Sequence, residues 1–427
     1  MSLLLDTARG SLRATVVVPG SKSIANRALV CAALASGTST LQNLASGDDT
    51  AAMIDCLRAL HIDVIVEGTT ATIVGSSGRP NGGGELNARL AGTTSRFMTA
   101  VAALSTVPSL ITGDAPLRQR PMKPLHDALV QLGAQVKSVD KEGHLPVWVS
   151  GDSIDGGTVS LPGDVSSQYV TALMMIGPYL PEGIRLQLSS PLVSRPYVAI
   201  TASVMSSFGA TGIAIGEHTI GVEPSNYDGT TYAIEADASS ASYPLAAAAI
   251  AGGSVKVVGV GQPALQGDAG FVEVLKQLGC STQTSATSLE VSSNGALHGI
   301  EINMADMSDL VPTLAAVAIF ADSPTRISGV GFIRHKESDR IGDLVKGLKQ
   351  IGCDAIEEDD GLLIRPVPVE QLHGSELSTH DDHRLAMAWS LIALRVPGIV
   401  IDEPEVVSKS WPEWWDVRSS LLEGSAN

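Results

Sequence analysis

The chain has 427 residues, of which 44% are hydrophobic and only 4% are aromatic, so small aliphatic side chains must build its cores. Its formal net charge of −17, from 45 acidic and 28 basic residues, argues against nucleic acid or an anionic membrane as a partner. Four cysteines without a CxxC pair, no signal-peptide pattern and no long apolar run predict a cytoplasmic protein with reduced thiols.

The first predicted junction between a strand and a helix lies in residues 19–34, which read PGSKSIANRALVCAAL. Lys22 and Ser23 fall at the turn, and Arg27 lies about one helical turn later. An ammonium, a hydroxyl, a guanidinium and free backbone N–H groups at one helix start predict a phosphate or carboxylate site. The alternative is an N-capping serine beside solvated surface charges. A nucleotide P-loop is excluded because a serine separates the glycine from the lysine.

The same junction recurs along the whole chain at steps of 70 or 73 residues. The six copies of this repeat start their first helices near Ser23, Thr93, Ser166, Ser239, Asp309 and Asp382. Each repeat is predicted to run strand, helix, strand, helix and two strands. The second helix ends at a glycine C-cap in four repeats, namely Gly133, Gly209, Gly279 and Gly352, whereas His61 occupies this place in the first repeat.

The two ends of the chain are predicted to complement each other. The last repeat ends after its second helix, near residues 411–422, and has no strands after it, whereas residues 3–18 have a strand pattern without a helix. We therefore expect the N-terminal strands to complete the sixth repeat. This predicts an N-terminal domain of residues 22–235 and a discontinuous C-terminal domain of residues 1–21 and 236–427. Two chain crossings between the domains favour hinge motion.

Helix N-termini concentrate partial positive charge, so residues at the six junctions are candidates for one shared anion site. Those residues are Lys22, Ser23, Arg27, Gly92, Arg96, Ser166, Ser167, Gln168, Asp309, His383 and Arg384. Further cations lie in neighbouring loops, at Arg120, Arg195, Arg334, Lys336, Arg340 and Lys409. An acidic chain with its cations at such positions predicts a small polyanionic ligand. The alternative is six structural N-caps with surface salt bridges.

Two short motifs near the C-terminus have more than one interpretation. HDDHR, residues 380–384, has the spacing of a metal cluster, but Arg384 would oppose a divalent cation and no second ligand cluster is evident, so we predict no metal. In KESDR, residues 336–340, Glu337 is either half of an i,i+3 ion pair with Arg340 or a positioned proton donor.

Together these motifs resemble one family. They are PGSKSIANRALVCAALASG, SGDDT, LAGTTSRF, RQRPM, SSQYVTALMM, LVSRPY, DASSASY, HKESDR, DDHRLAM and KSWP, in this order over essentially the whole chain. The chain is similar to the 5-enolpyruvylshikimate-3-phosphate synthases, also called 3-phosphoshikimate 1-carboxyvinyltransferases. The resemblance implies an α/β fold of the α+β type, a two-domain inside-out α/β barrel with six βαβαββ repeats, three in each domain.

The resemblance also implies an activity and its residues. The reaction transfers the enolpyruvyl group of phosphoenolpyruvate to the 5-hydroxyl of shikimate 3-phosphate, without metal or organic cofactor, in a monomer with no nucleic-acid or membrane partner. The shikimate 3-phosphate site falls on Lys22, Ser23, Arg27, Ser166, Ser167, Gln168, Ser194, Tyr197, Asp309 and Lys336. The phosphoenolpyruvate site falls on Lys22, Gly92, Arg96, Arg120, Gln168, Arg340, Arg384 and Lys409, with Glu337 beside them. Asp309 is implied as the base for the 5-hydroxyl, and Glu337 with Lys22 as the proton-transfer groups.

Three positions depart from the family pattern. Leu90 and Phe332 stand where many members have asparagine, and each removes a side-chain hydrogen bond that backbone or water must replace. Phe97 replaces the usual proline after Arg96. Gly92 leaves room for an inhibitor of the glyphosate type.

Two other functions remain as alternatives. A UDP-N-acetylglucosamine enolpyruvyl transferase would have Lys-Asn in place of Lys22-Ser23 and a cysteine-bearing loop, whereas residues 116–124 contain no cysteine. A non-catalytic repeat scaffold would have no need for cations and carboxylates at the repeat junctions.

Overall fold

The structure is a computed structural model that describes residues 2–152 and 154–424. The chain divides into two compact units. One unit consists of residues 20–235, and the other consists of the segments before and after it. The chain therefore passes from one unit to the other after Pro19 and again after Glu235.

Thirteen α-helices occur in the described residues, and none combines the length and the apolar character that a membrane crossing requires. They are α1 (Lys22–Leu34), α2 (Asp48–Ala59), α3 (Gly92–Ala102), α4 (Ala115–Arg118), α5 (Lys123–Gln131), α6 (Ser167–Ile176), α7 (Arg195–Ser207), α8 (Ala238–Ala251), α9 (Phe271–Gln277), α10 (Val311–Ala318), α11 (Arg340–Gln350), α12 (His383–Ile392) and α13 (Trp414–Glu423).

The strands of the described residues form six sheets. They are β1 (Leu3–Leu4), β2 (Leu12–Val17), β3 (Thr38–Gln42), β4 (Asp63–Glu67), β5 (Thr70–Val74), β6 (Gly84–Asn87), β7 (Ser109–Thr112), β8 (Gln135–Ser138), β9 (Val147–Ser150), β10 (Gly157–Leu161), β11 (Ile184–Leu188), β12 (Ile213–Ile215), β13 (Thr219–Val222), β14 (Thr231–Ala233), β15 (Gly253–Val258), β16 (Ser281–Thr284), β17 (Ser288–Ser293), β18 (Glu301–Asn303), β19 (Thr325–Ser328), β20 (Asp354–Glu358), β21 (Gly361–Arg365), β22 (Glu376–Leu377) and β23 (Val400–Ile401).

The unit of residues 20–235 contains three four-stranded sheets, with the orders β14-β3-β5-β4, β6-β7-β9-β8 and β10-β11-β13-β12. In each sheet the first two strands run parallel, and the other two pair antiparallel. A parallel pair needs a crossover, and the first helix of the repeat supplies it in the second and third sheets. The predicted order of strand, helix, strand, helix and two strands is confirmed in these repeats.

The other unit contains sheets with the orders β16-β17-β15-β2, β18-β19-β21-β20 and β1-β23-β22. The prediction for the N-terminal strands was wrong in part. Only β1 joins the sixth repeat, where Leu3 pairs with Ile401, whereas β2 runs parallel to β15 in the fourth repeat. The physical reason is that β14, which leads into α8, pairs with β3 of the first repeat, so the fourth repeat takes β2 as its leading strand.

The first helices of the repeats form the core of each unit. Helices α1, α3 and α6 contact one another in residues 20–235, and α8, α10 and α12 contact one another in the other unit. Nearly every residue of α1 and α8 is buried, as in the run Ala246–Ala249. A helix that is apolar on all sides is stable only when other elements surround it, and small alanines let those elements approach closely.

The second helices of the repeats end in the predicted left-handed backbone conformation. Gly133, Gly209, Gly279 and Gly352 have φ values between 91° and 104°. This region of φ suits glycine because it has no Cβ. His61 adopts a φ of 58° at the matching place in the first repeat. The left-handed helix end is therefore kept there even without a glycine.

Candidate active site

Lys22 is the first residue of α1, and its ammonium is paired within its own unit. Its Nζ atom lies 3.0 Å from Oδ2 of Asp49, which is in the first turn of α2 and 3% exposed. Helix α1 has no side-chain cap at its start. Two helix N-termini and one ammonium therefore meet next to a single buried carboxylate, an arrangement that favours binding of a further anion.

Arg27 lies on α1 and is buried, with 2% of its surface exposed. Its Nε atom donates to Thr201 at 2.8 Å, and Nη1 donates to the carbonyl of Ser23 at 2.7 Å. Nη2 donates to Thr171 and to the carbonyl of Tyr197, each at 3.3 Å. Burial lowers the pKa of the guanidinium to about 10. Arg27 thus ties α1 to α6 and α7, and Phe97 lies beneath it at 5.4 Å.

The third repeat places the polar residues predicted for substrate binding at two adjoining helix starts. The Ser166 hydroxyl caps α6 by accepting a bond from the Gln168 backbone N–H at 3.2 Å. The Gln168 amide donates to Thr93 on α3 at 3.4 Å. Ser194 precedes α7 with a left-handed φ of 53°, and Ser167 is almost wholly buried. Helices α1, α3, α6 and α7 therefore carry this group of predicted residues within one unit.

Arg120 reaches from the loop after α4 to the first residue of α3, Gly92. A Cβ atom on Gly92 would stand 2.7 Å from Nη1 and 2.9 Å from Nη2 of Arg120. Glycine is therefore required there for the guanidinium to approach the start of α3. Arg96 donates hydrogen bonds to the carbonyls of Gly92 at 3.1 Å and of Pro121 at 3.3 Å. It therefore connects the start of α3 with the loop that carries Arg120.

In the other unit a buried ion network surrounds Arg340, which is 1% exposed. Its guanidinium donates to Asp309 at 2.9 Å, to Glu337 at 2.8 Å and to Asp382 at 2.7 Å. Arg384 donates to the second oxygen of Asp309 at 2.7 Å. The structure therefore brings four of the predicted site residues, Asp309, Glu337, Arg340 and Arg384, into one cluster.

Asp309 is the centre of this cluster. Burial by itself raises the pKa of the carboxyl, but the charges of Arg384, Lys336 and Arg340 outweigh it and hold the pKa well below its usual range. The Lys336 ammonium lies 3.8 Å from Oδ1 of Asp309. Asp309 is therefore an ionised carboxylate that three cations share.

Asp382 explains the HDDHR motif. Its carboxylate caps α12 by accepting a bond from the Arg384 N–H at 2.9 Å, and it also accepts bonds from Arg340 and Ser338. His383 is buried beside it. Among the residues that the structure describes, no group of three or more histidine, cysteine or acidic side chains is arranged to hold a metal ion. Asp382, the buried acidic residue of the motif, therefore positions Arg340 and Arg384.

Two further cations of the prediction lie in the same unit. The Lys336 ammonium stands 5.9 Å from the ring centre of Phe332, so the ring at this unusual position contacts a site cation. Lys409 ends a short 3₁₀ helix at Pro404–Lys409 and is 4% exposed. Arg334 pairs instead with Asp339 and Glu357. Arg195 is the first residue of α7 in the unit of residues 20–235 and is exposed.

Three functional candidates escaped the sequence interpretation. Asp49, Asp268 and Tyr243 are buried beside predicted site cations or carboxylates. The SGDDT motif was a signal for Asp49, but nothing in the sequence indicated its pairing with Lys22. The Asp268 carboxyl accepts the Ser239 hydroxyl, and burial, followed by the charge of Asp309, raises its pKa to about 7. The Tyr243 hydroxyl lies 3.5 Å from Nη1 of Arg384.

Comparison with known proteins gives the family. The family model described as EPSP synthase (3-phosphoshikimate 1-carboxyvinyltransferase) matches residues 7–417. The chain belongs to the EPSP synthase family. A 3-phosphoshikimate 1-carboxyvinyltransferase of Methanosphaerula palustris is 37% identical over 96% of this chain and 97% of its own. One of Nostoc punctiforme is 38% identical over 96% of both chains.

A solved structure agrees with this membership. The EPSP synthase of Acinetobacter baumannii superimposes with a TM-score of 0.81 and is 26% identical, over 98% of both chains. The family resemblance, the two-domain α/β fold class and the assignment to the enolpyruvyl transferases are thereby confirmed. The roles of individual residues remain predictions, which the contacts above make specific.

Proposed function

We propose that this protein transfers the enolpyruvyl group of phosphoenolpyruvate to the 5-hydroxyl of shikimate 3-phosphate and releases inorganic phosphate. The observation that carries the proposal is the convergence of Arg340, Arg384 and Lys336 on the single carboxylate of Asp309. Such a group of fixed charges suits a reaction in which charge develops between a carboxylate, a phosphate and a hydroxyl.

The residues of the 20–235 unit supply donors for shikimate 3-phosphate. Ser166, Ser167, Gln168, Ser194 and Tyr197 offer hydroxyl, amide and phenol groups at helix starts, with Lys22 and Ser23 on α1. Arg27 makes bonds to α6 and α7 that hold these helix starts together, so it acts at least as a support for the ligand groups. Helix N-termini with hydroxyl and amide donors are typical phosphate ligands.

We assign phosphoenolpyruvate binding to the cations that the family motifs mark. They are Lys22 and Arg120 in residues 20–235, and Arg340, Arg384 and Lys409 in residues 236–427. Arg384 and Arg340 both donate hydrogen bonds to Asp309. When an anionic substrate takes over part of their charge, the pKa of Asp309 rises toward the range of a general base. Substrate binding thus prepares the base.

The chemistry then proceeds by addition and elimination. The 5-hydroxyl oxygen of shikimate 3-phosphate bonds to carbon 2 of phosphoenolpyruvate, and Asp309 accepts the proton of that hydroxyl. Carbon 3 of phosphoenolpyruvate gains a proton in the same step. The tetrahedral intermediate then loses phosphate from carbon 2 and a proton from carbon 3, which restores the double bond. We assign proton transfer at carbon 3 to Glu337 and Lys22. Glu337 is held by Arg340 at 2.8 Å, so its carboxylate has a fixed position.

We further propose that the protein acts as a monomer in the cytoplasm, with no organic cofactor or metal. The four cysteines, Cys31, Cys56, Cys280 and Cys353, are free and buried, as expected for a reducing compartment.

A phosphate-release assay tests the proposal. Phosphate should appear when the protein meets both substrates and should not appear with either alone. UDP-N-acetylglucosamine in place of shikimate 3-phosphate tests the rival acceptor and should give no phosphate. Phosphate release with that sugar nucleotide alone as acceptor would favour the rival transferase, and no release with any acceptor would favour a scaffold.

A further inference from the structure

The position of Arg120 depends on a short segment that has little regular structure. Helix α4 has only four residues, and the Arg120 N–H bonds back to the carbonyl of Leu117 at 3.1 Å. The next backbone bond joins Met122 to the carbonyl of Gly143 at 2.8 Å. Arginine is a long side chain with many rotamers. A mobile backbone at this position would therefore spread the guanidinium over many positions.

Two buried side chains hold this segment at one atom, the carbonyl oxygen of Pro121. The Tyr169 hydroxyl donates to it from α6, and Nη2 of Arg96 donates to it from α3 at 3.3 Å. Tyr169 and Arg96 are 1% and 3% exposed. Arg96 belongs to the predicted phosphoenolpyruvate residues, but Tyr169 has no role in the reaction described above.

We propose that Tyr169 is a positioning residue for Arg120, and that its hydroxyl tunes phosphoenolpyruvate affinity through the carbonyl of Pro121. This inference rests on the proposed function, because it makes Arg120 a ligand of that substrate. Tyrosine suits the task, since a rigid ring on a buried helix fixes its hydroxyl with only two torsions. A hydrogen bond between a phenol and a carbonyl is also strong where water is excluded.

The guanidinium of Arg120 packs closely against the first residue of α3. It fits against Gly92, where a single added carbon would stand 2.7 Å from Nη1. Arg96 donates hydrogen bonds to the carbonyls of Gly92 and Pro121. It therefore fixes the distance between the start of α3 and the segment that carries Arg120. Tyr169 is thus the part of this support that comes from α6, the helix that also carries Gln168.

The variant Tyr169→Phe removes the hydroxyl and keeps the ring. We expect the KM for phosphoenolpyruvate to rise about threefold to tenfold, the effect of one buried hydrogen bond. We expect kcat and the KM for shikimate 3-phosphate to stay within about twofold of the parent values. The variant Tyr227→Phe is the matched control, because the Tyr227 hydroxyl also donates to a buried carbonyl, that of Met175, at 2.9 Å in the same unit. It should lose thermal stability without any change in KM.

A double-mutant cycle shows whether Tyr169 acts through Arg120. In an Arg120→Lys background, Tyr169→Phe should change phosphoenolpyruvate affinity by less than about twofold. An unchanged KM in Tyr169→Phe, an equal effect in both backgrounds, or the same change in Tyr227→Phe would overturn the inference.

Calorimetric titration of phosphoenolpyruvate separates this inference from the proposed function. A parent that releases no phosphate contradicts the function. The titration still decides the role of Tyr169, because it measures Arg120 as an anion ligand without turnover. The expected result is a weaker affinity in Tyr169→Phe than in Tyr227→Phe, and equal affinities would contradict it.

Discussion

The guanidinium of Arg120 lies so close to the Cα of Gly92 that a methyl group on that glycine would stand 2.7 Å from Nη1 and 2.9 Å from Nη2. The variant Gly92→Ala should therefore displace the guanidinium, which is the movable partner. We expect the KM for phosphoenolpyruvate to rise about tenfold or more, with a smaller change in kcat, because one charged hydrogen-bond donor is misplaced. Steady-state kinetics with each substrate varied in turn would measure this.

The control for that variant is Gly221→Ala in the same unit. Gly221 lies in β13, and a Cβ there would meet no atom within 4 Å. Both variants add one methyl group, but only Gly92→Ala should change the kinetics. The same KM for phosphoenolpyruvate in Gly92→Ala and the parent would contradict the placement of Arg120 in the substrate site.

Lys22 should matter for turnover more than for folding. Lys22→Met should reduce phosphate release at least a hundredfold, and Lys22→Arg should also fail, because a planar fork does not replace a compact ammonium. Lys22→Met leaves the carboxylate of Asp49 without its 3.0 Å ion pair, which we expect to cost about 1–3 kcal/mol of unfolding free energy.

A second substitution separates these two effects of Lys22. Adding Asp49→Asn removes the buried charge and should restore much of the lost stability without restoring turnover. Thermal melting and phosphate release would be measured on the same samples. Residual activity of Lys22→Met within tenfold of the parent would show that the ammonium has no role in the reaction.

Asp309→Asn and Glu337→Gln should slow the chemical step more than they weaken binding. We expect single-turnover rates to fall about a hundredfold or more, because a proton-transfer group is lost. Phosphoenolpyruvate should bind the Asp309→Asn variant at least as tightly as the parent, since Arg384 and Arg340 no longer share their charge with that carboxylate. Asp354→Asn, at an exposed ion pair with Arg365, is the control. If only the apparent KM rose, the residues would be binding contacts.

Asp268 should make stability depend on pH. Burial and the nearby charge of Asp309 raise its pKa from 3.8 to about 7, so between these values the folded chain holds a proton that the unfolded chain releases. The free energy of unfolding contributed by Asp268 therefore falls as pH rises toward 7 and is constant above it. His126, whose pKa burial lowers from 6.5 to about 4, contributes the opposite slope between these two values.

The contribution of Asp268 is obtained by comparing the parent with Asp268→Asn, which retains an acceptor for the Ser239 hydroxyl. The melting temperature of the parent, measured relative to that of the variant, should fall from pH 5.5 to pH 7.5. His126 is common to both proteins and cancels. A difference that stays constant over this range would show that Asp268 does not titrate there.

The repeat period predicted much of the fold because each junction couples a strand end to an apolar helix, and these local signals survive in the sequence. The glycine caps were equally local, so even the replacement at His61 could be placed. The pairing of β2 with β15 was missed because strand exchange depends on which partner is available in the folded chain. The sequence of β2 contains no signal that β14 pairs with β3 instead of β15.

The site was predictable to the extent that charge and position identify it. Cations at junctions indicated anion binding, and the family motifs supplied the substrates. Asp49 and Asp382 contact the side chains of Lys22 and Arg340, whereas Tyr169 contacts the backbone of Pro121, and such pairings arise only when distant segments meet. The separation of 120 positions between Asp49 and Tyr169 illustrates why no local pattern indicates both as supports of one site. Acidic residues beside predicted arginines are the signal that would have found Asp382.

The most direct test of enolpyruvyl transfer is to identify the products formed in D₂O. With both substrates present, phosphate and an enol ether of shikimate 3-phosphate should form in equal amounts by phosphorus NMR and mass spectrometry. Addition and elimination through a methyl-bearing intermediate also predict deuterium in the vinyl carbon of that ether. Phosphate accompanied by free pyruvate, with no enol ether, would contradict the account and would identify hydrolysis of phosphoenolpyruvate instead.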